Sequence, residues 1–315
     1  MKKIIMAAAS LVISIIWPMA VYAQESCSQS QQSQTILTSF PATYSITAQL
    51  CSNTQLRAVY LFPEKVSMES QPQYMKTHAR ALSETLGAAT AVVCLRSAWP
   101  NDPLFPAARK ENIRVVEIDA AMPFDSQKAG IPLLSAPSED GRHQVPGRLL
   151  WISPANASRM ADIIAQDLER LSPKDKPAIS QNLKTFKQQV FKLRSTYESR
   201  FVQLDNPAVI AMTTDFVYLT ENFNIDVVRY FLKPEINWTD EDIAVFEQAI
   251  RDNGITAVIQ KWTPDPKIMV AIQNSGARIV VLDNINPGTR PDPVSAETYL
   301  DTMRHNLSVL ADALN

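Results

Sequence analysis

Residues 174–203 run without a glycine, Pro177 sits where a first helical turn would be, and Leu183, Phe186, Val190, Phe191, Leu193 and Tyr197 recur at helical spacing. A helix of that extent spans about 45 Å at 1.5 Å per residue, longer than one small domain is wide. Such a helix can bridge two lobes. Both flanks alternate short β-rich runs with helical stretches, the pattern of a parallel sheet covered on both faces. Before the long helix the spacing predicts strands over 35–40, 56–62, 91–95 and 113–118, with helices over 42–51 and 73–86. Ser153-Pro154 supplies an N-cap and first-turn proline for a helix ending near Ser172-Pro173. After Asn206-Pro207 the predicted strands cover 208–212, 225–230, 257–259 and 278–282. Helices follow them from 215, 239, 265 and 295, the second opened by Thr239 and Asp242 as a capping box. The expected plan is an α/β lobe over 35–171, a connecting helix over 172–205 and a second α/β lobe over 206–315. Residues 121–148, rich in proline, serine and glycine, have no period and read as one long loop, functional or mobile.

Seven glycines in 315 residues, with 46% hydrophobic and 20% charged, exclude collagenous and disordered chains. The near balance of 30 Lys+Arg against 32 Asp+Glu leaves no basic excess to neutralise phosphates, which argues against a nucleic-acid partner. Lys2 and Lys3, an apolar run interrupted at Pro18, and small residues at Val21 and Ala23 read as a cleavable export signal over 1–23. The run is too short and too broken for a spanning anchor. Glu25 and Ser26 before Cys27 are not a lipidation motif, and residues 24–34 read as a flexible terminus. Among Cys27, Cys51 and Cys94, an oxidising compartment favours a Cys51–Cys94 bridge, since Cys27 lies in the polar stretch SCSQSQQSQ.

WISPANASRMADIIAQDLERLSPKDK (151–176), TTDFVYLTENFNIDVV (213–228), WTDEDIAVFEQAIRDNGITAVIQ (238–260), RIVVLD (278–283) and ETYLDTMRHNLSVLADAL (297–314) resemble, in order and spacing, the zinc- and manganese-type periplasmic solute-binding proteins of bacterial ABC importers, the TroA- and ZnuA-like family. The resemblance covers most of the chain after Leu150 and is faint before it. It implies two parallel-sheet lobes joined by one backbone helix, and a monomeric receptor with its ligand in the interlobe cleft. That receptor would deliver a metal ion or small solute to an ABC permease in the inner membrane.

Members of that family surround the metal with three histidines and one carboxylate, neutral imidazole suiting zinc and carboxylate suiting manganese. Carried over residue by residue, the first histidine position falls at Val66-Ser67-Met68, the second at Leu149 and the third at Thr213, while the carboxylate falls on Asp283. Three of the four donors are thus replaced. The expected cleft residues are Ser67, Met68, Leu149, Thr213, Trp262 and Asp283, with Asp283 and His143 as the metal candidates.

Each candidate also has a plainer reading. Asp283 suits a turn whose side chain caps Asn284 and Asn286; His143 suits a solvated loop; His78 and His305 suit helix surfaces. Met68 with Cys94 or Met212 would make a soft copper(I)-like site, and methionine is otherwise core filler. Trp151, Tyr218 and Trp262 would wall a pocket for a chelate or organic ligand, or else pack the lobes. No nucleophile elbow, phosphate-binding glycine loop or HExxH pair is present, so catalysis is not expected. Three functions stay open: a receptor for a bare zinc or manganese ion, a receptor for a chelated metal or small organic solute, and a non-transport interaction protein that kept the scaffold.

Overall fold

The computed structural model of the chain describes residues 33–125, 127–138, 142–286 and 293–315. The expected signal, Cys27 and nearly all of the expected flexible terminus lie outside those residues. The first lobe comprises β1 (Gln34–Thr38), α1 (Pro41–Leu50), β2 (Leu56–Tyr60), α2 (Gln71–Thr77), α3 (Ala79–Gly87), β3 (Ala89–Cys94), α4 (Leu104–Glu111) and β4 (Val116–Asp119). A hairpin, β5 (Ser135–Pro137) with β6 (Gln144–Pro146), precedes α5 (Pro154–Leu171) and the long helix α6 (Lys176–Phe201). The second lobe comprises β7 (Ala208–Ala211), α7 (Val217–Asn222), β8 (Asp226–Tyr230), α8 (Asp240–Asp252), β9 (Ala257–Gln260), α9 (Pro266–Asn274), β10 (Arg278–Val281) and α10 (Thr298–Leu314).

Each lobe holds a four-stranded parallel sheet, in the orders β2-β1-β3-β4 and β10-β9-β7-β8. Read from its other end, the second order repeats the first, so the two lobes share one winding. Ile36, Leu37, Val92 and Val93 have no exposed surface, as expected of strands covered on both faces.

The helix α6 is 26 residues, about 39 Å, and buries Ile179, Phe186, Val190, Tyr197 and Phe201 at sevens and fours. Phe191, expected on its core face, instead points out and is 64% exposed. One apolar cluster runs through Ile36, Trp151, Phe186, Val209 and Leu307, joining both sheets to this strut. The last helix returns to the first: Ser45 on α1 donates to the Ala296 carbonyl and accepts from Tyr299 N (3.0 Å), while Gln49 Nε2 reaches the same carbonyl at 2.7 Å.

Several expectations need correction. The helix over 73–86 is two helices meeting at His78, whose φ of −109° and ψ of 14° leave the helical range. Helix α4 has no counterpart among the expected helices; Pro106 lies in its first turn, where no intrahelical N–H is needed. The aperiodic 121–148 stretch contains the hairpin, whose three-residue strands are too short to show a period. Cys51 and Cys94 are both free and buried. Cys51 caps the end of α1, which has returned to the amino end of the sheet, whereas Cys94 closes β3 at the carboxyl end, so the sheet separates them. The expected caps form: Ser153 Oγ accepts from Asn156 N (3.3 Å), and Thr239 exchanges bonds with Asp242 (3.2 and 2.7 Å).

Candidate solute-binding cleft

In a parallel sheet the chain leaves every strand at the same edge, so connecting loops gather there and form the ligand crevice. Here the two lobes turn those edges toward each other around a cleft of about 870 Å³. The first lobe contributes Ser67, Met68 and Glu69 beyond β2, the hairpin, and the segment from Gly147 to Leu149. The second contributes residues 212–215 after β7, 231–235 after β8, 260–262 after β9, and Asn284 and Asn286 after β10.

Two buried ties hold the walls in place. Tyr218, on α7, accepts from Leu134 N at 3.0 Å and donates to the Gly147 carbonyl at 3.1 Å, which pins the hairpin to the second lobe. Burial pushes this phenol above its ordinary range despite the Leu134 N–H, which pulls the other way. Gly147 permits the approach, because a Cβ there would lie 2.9 Å from the Tyr218 ring. Trp151, with no exposed surface, donates from Nε1 to the Asn284 carbonyl at 2.9 Å and stacks on Phe40 at 5.4 Å.

The charged groups of the cleft come in both signs: Arg148, Lys233 and Lys261 against Glu69, Asp215 and Glu235. Arg148 meets Glu69 at 3.3 Å and Lys261 meets Asp215 at 3.0 Å. The same Asp215 oxygen accepts from Asn284 Nδ2 at 2.6 Å. Glu235 accepts from Trp262 Nε1 (2.9 Å), Gln260 Nε2 (3.3 Å) and Asp265 N (2.7 Å). Lys233 is held at 2.7 Å by Asp242, a residue outside the lining whose carboxyl is drawn down to about 2 by Lys233 and by the Thr239 N–H and hydroxyl.

Of the residues the sequence points to, Ser67, Met68, Leu149, Thr213 and Trp262 line this cleft. Ser67 Oγ is 3.0 Å from Ser70 Oγ, Thr213 Oγ1 accepts from Asp215 N at 3.2 Å, and Trp262 is 49% exposed. Met68 and Leu149 are buried and present sulfur and hydrocarbon respectively. Asp283 is not part of the lining. Its Oδ1 accepts from Ile285 N at 2.7 Å, and Ile285 is a β-branched residue held at a φ of 54°, so the carboxylate stabilises a strained turn. That is the capping turn rather than a side chain in the cleft.

His143 lies exposed on the hairpin, its backbone paired with Ser138, and is likewise outside the lining. His78 stacks on Tyr74 at 4.0 Å, and His305 is exposed on α10. Met68 and Met212 face the cleft from opposite lobes, but Cys94 does not, and burial drives its thiol well above its ordinary range. Among the described residues, no group of three or more His, Cys, Asp or Glu is placed to hold a metal ion. Trp151 and Tyr218 pack the lobes, and of the three aromatic candidates Trp262 alone is a cleft wall. Arg148, Lys233, Lys261, Asp215 and Glu235 were not expected. Four of these five follow a strand of the second lobe within a few residues, and that position was the available signal.

Residues 36–313 match the family described as zinc-uptake complex component A, periplasmic. The zinc-binding lipoprotein AdcA of Streptococcus pneumoniae is 21% identical over 174 residues, 55% of this chain and 35% of that protein. The match thus spans about a third of that relative's length. Among solved structures, an FpvC mutant from Pseudomonas aeruginosa superposes with a TM-score of 0.72 at 18% identity, covering 89% of this chain and 98% of that one. ZnuA gives 0.67 at 17%, covering 90% and 100%, and the metal-dependent lipoprotein YcdH from Bacillus subtilis gives 0.66 at 17%, also covering 90% and 100%. These likenesses show the fold, and the match along nearly the whole described chain shows the lineage: the protein belongs to the zinc-uptake component A family of periplasmic solute-binding proteins.

Proposed function

We propose that this protein is the solute-binding component of an ABC importer, exported through a signal over 1–23, and that its cleft takes a solute larger than a bare cation. That solute is a metal within a small chelate, or a small organic molecule. The observation that carries this reading is the donor set. Met68, Leu149 and Thr213 stand where the family resemblance places histidines, and the carboxylate next to Thr213, Asp215, is already engaged by Lys261 and Asn284. A bare zinc ion needs about four nitrogen, sulfur or oxygen ligands at 2.0–2.3 Å, which hydrocarbon cannot supply. A cleft of about 870 Å³ has room for a small molecule. Function is capture and delivery: the lobes close on the solute, and the permease reads surfaces on both.

Family membership favours a second reading, a bare zinc or manganese ion held by Asp283 with His143 swung in from the hairpin. Elemental analysis and native mass spectrometry on protein purified without chelators, followed by calorimetry with zinc and manganese chlorides, separate the two. The expected result is a retained organic molecule or chelate and no saturable binding of either free ion at micromolar concentration. Tight one-to-one zinc binding that Asp283→Ala abolishes would overturn the proposal.

A further inference from the structure

We infer that the solute is an oxygen-rich anion, a small polycarboxylate either free or wrapped around a metal; this rests on the reading of the cleft as a site for something larger than a bare ion. Its formal charges balance, but its hydrogen-bonding capacity does not. Glu235 already accepts three hydrogen bonds, from Trp262, Gln260 and Asp265, and Asp215 accepts from both Lys261 and Asn284. Two of the three acidic groups are therefore engaged from within the fold.

The cations are each paired once and keep more unused donors. A guanidinium has five N–H donors and an ammonium three. Arg148 has one ion pair, at 3.3 Å to Glu69, with the two side chains 48% and 57% exposed. An ion pair that open contributes little, so Arg148 can turn from Glu69 to a solute at small cost. Lys233 uses one contact on Asp242, and Lys261 uses one on Asp215 while lying 5.0 Å from the centre of the half-exposed Trp262 ring. Arg148 stands on the first lobe, and Lys233 and Lys261 stand at the carboxyl ends of β8 and β9 on the second. Spare donors thus face the gap from both walls, and a solute offering several carboxylate oxygens would satisfy them together and draw the lobes onto itself. A cationic solute would meet Glu235 with three hydrogen bonds already accepted and Asp215 already neutralised by Lys261.

The test is calorimetry on the purified protein with citrate, with zinc citrate and with zinc chloride, at low and at physiological salt, repeated on Arg148→Gln and Lys233→Gln. Both changes are at half-exposed side chains, and thermal melts confirm folding. Citrate or zinc citrate is expected to bind, at least fivefold more weakly in each variant and more weakly at the higher salt; preference between the two forms tells free anion from chelate. Failure of both to bind at millimolar concentration, or affinity unchanged in both variants, overturns the anion assignment. So does a neutral or cationic organic molecule found in the purified protein, which would leave the solute-binding reading intact. Sub-micromolar binding of zinc chloride alone would instead remove the reading on which this one rests.

Discussion

Trp151 ties the lobes by a single buried donor, and Trp151→Phe measures that tie. The indole has no exposed surface, and its Nε1 is 2.9 Å from the carbonyl of Asn284, itself 1% exposed. Phenylalanine keeps a ring to stack on Phe40 but removes the buried donor to the Asn284 carbonyl, a loss of about 1–3 kcal/mol. The smaller ring leaves a void that adds about 1 kcal/mol. A total of about 2–4 kcal/mol corresponds, for a protein of this size, to a fall in Tm of about 3–7 °C. Trp262→Phe is the control, because that ring is 49% exposed and its N–H shares Glu235 with two other donors. Differential scanning calorimetry on both variants reads the difference. A Tm for Trp151→Phe within 2 °C of wild type, or an equal fall in Trp262→Phe, would refute the argument that buried interlobe hydrogen bonding holds the cleft walls.

Asp102 is buried at the carboxyl ends of β1 and β3 and pushed up to about 6 by desolvation, against the pull of Ser39, Leu104 N and Leu95 N, with Asp119 adding to the rise. A raised carboxyl binds its proton more tightly folded than unfolded, so between about pH 4 and 6 stability falls as pH rises, by about 3 kcal/mol for this group. Urea unfolding of Asp102→Asn across that window should show a shallower pH slope whatever its absolute stability, and an unchanged slope would refute the assignment. Burial lifts the Cys51 thiol to about 12, with Asp175 adding to it, so Cys51 and Cys94 should be unreactive to a thiol reagent in the native protein and react once it is unfolded in guanidinium. A Cys51–Cys94 disulfide in the peptide map would contradict the fold. Gly147→Ala places a Cβ 2.9 Å from the Tyr218 ring and 3.1 Å from Val217, an overpacking of about 1–3 kcal/mol that should lower the Tm and weaken solute binding together. A variant with wild-type Tm would mean the hairpin does not sit against α7.

Periodicity reports what repeats, and the architecture repeats. The strut, the alternation on both sides of it and the Thr239 and Ser153 caps were therefore legible, since each is a local pattern that tertiary packing leaves unchanged. The hairpin was not, because three residues per strand carry no period and its pairing is decided by contact with Tyr218, 84 positions from Leu134. The cysteine pairing failed for a related reason: the compartment argues that thiols oxidise, but only the winding of β1, α1 and β3 shows that a helix returns one of them to the far edge of the sheet. In the cleft, histidine positions carried over from the family located four wall residues, Ser67, Met68, Leu149 and Thr213. They could not point to Arg148, Lys233 and Lys261 beside them, because those positions are not histidine positions of the family.

Specificity in such a molecule has to reside in the walls and not in a hinge. The single strut, the α1 to α10 contact at Ser45 and Tyr299, and the buried Trp151 and Tyr218 bonds all resist large rotation of one lobe against the other. With closure limited to small displacements, a solute gains little from remodelling the site and must match the groups already presented. On the proposed function, Leu149 and Thr213 in place of histidines would change what is bound without changing how binding is signalled. A permease that recognises two closed lobes would accept the same protein shape whichever guest brings the walls together.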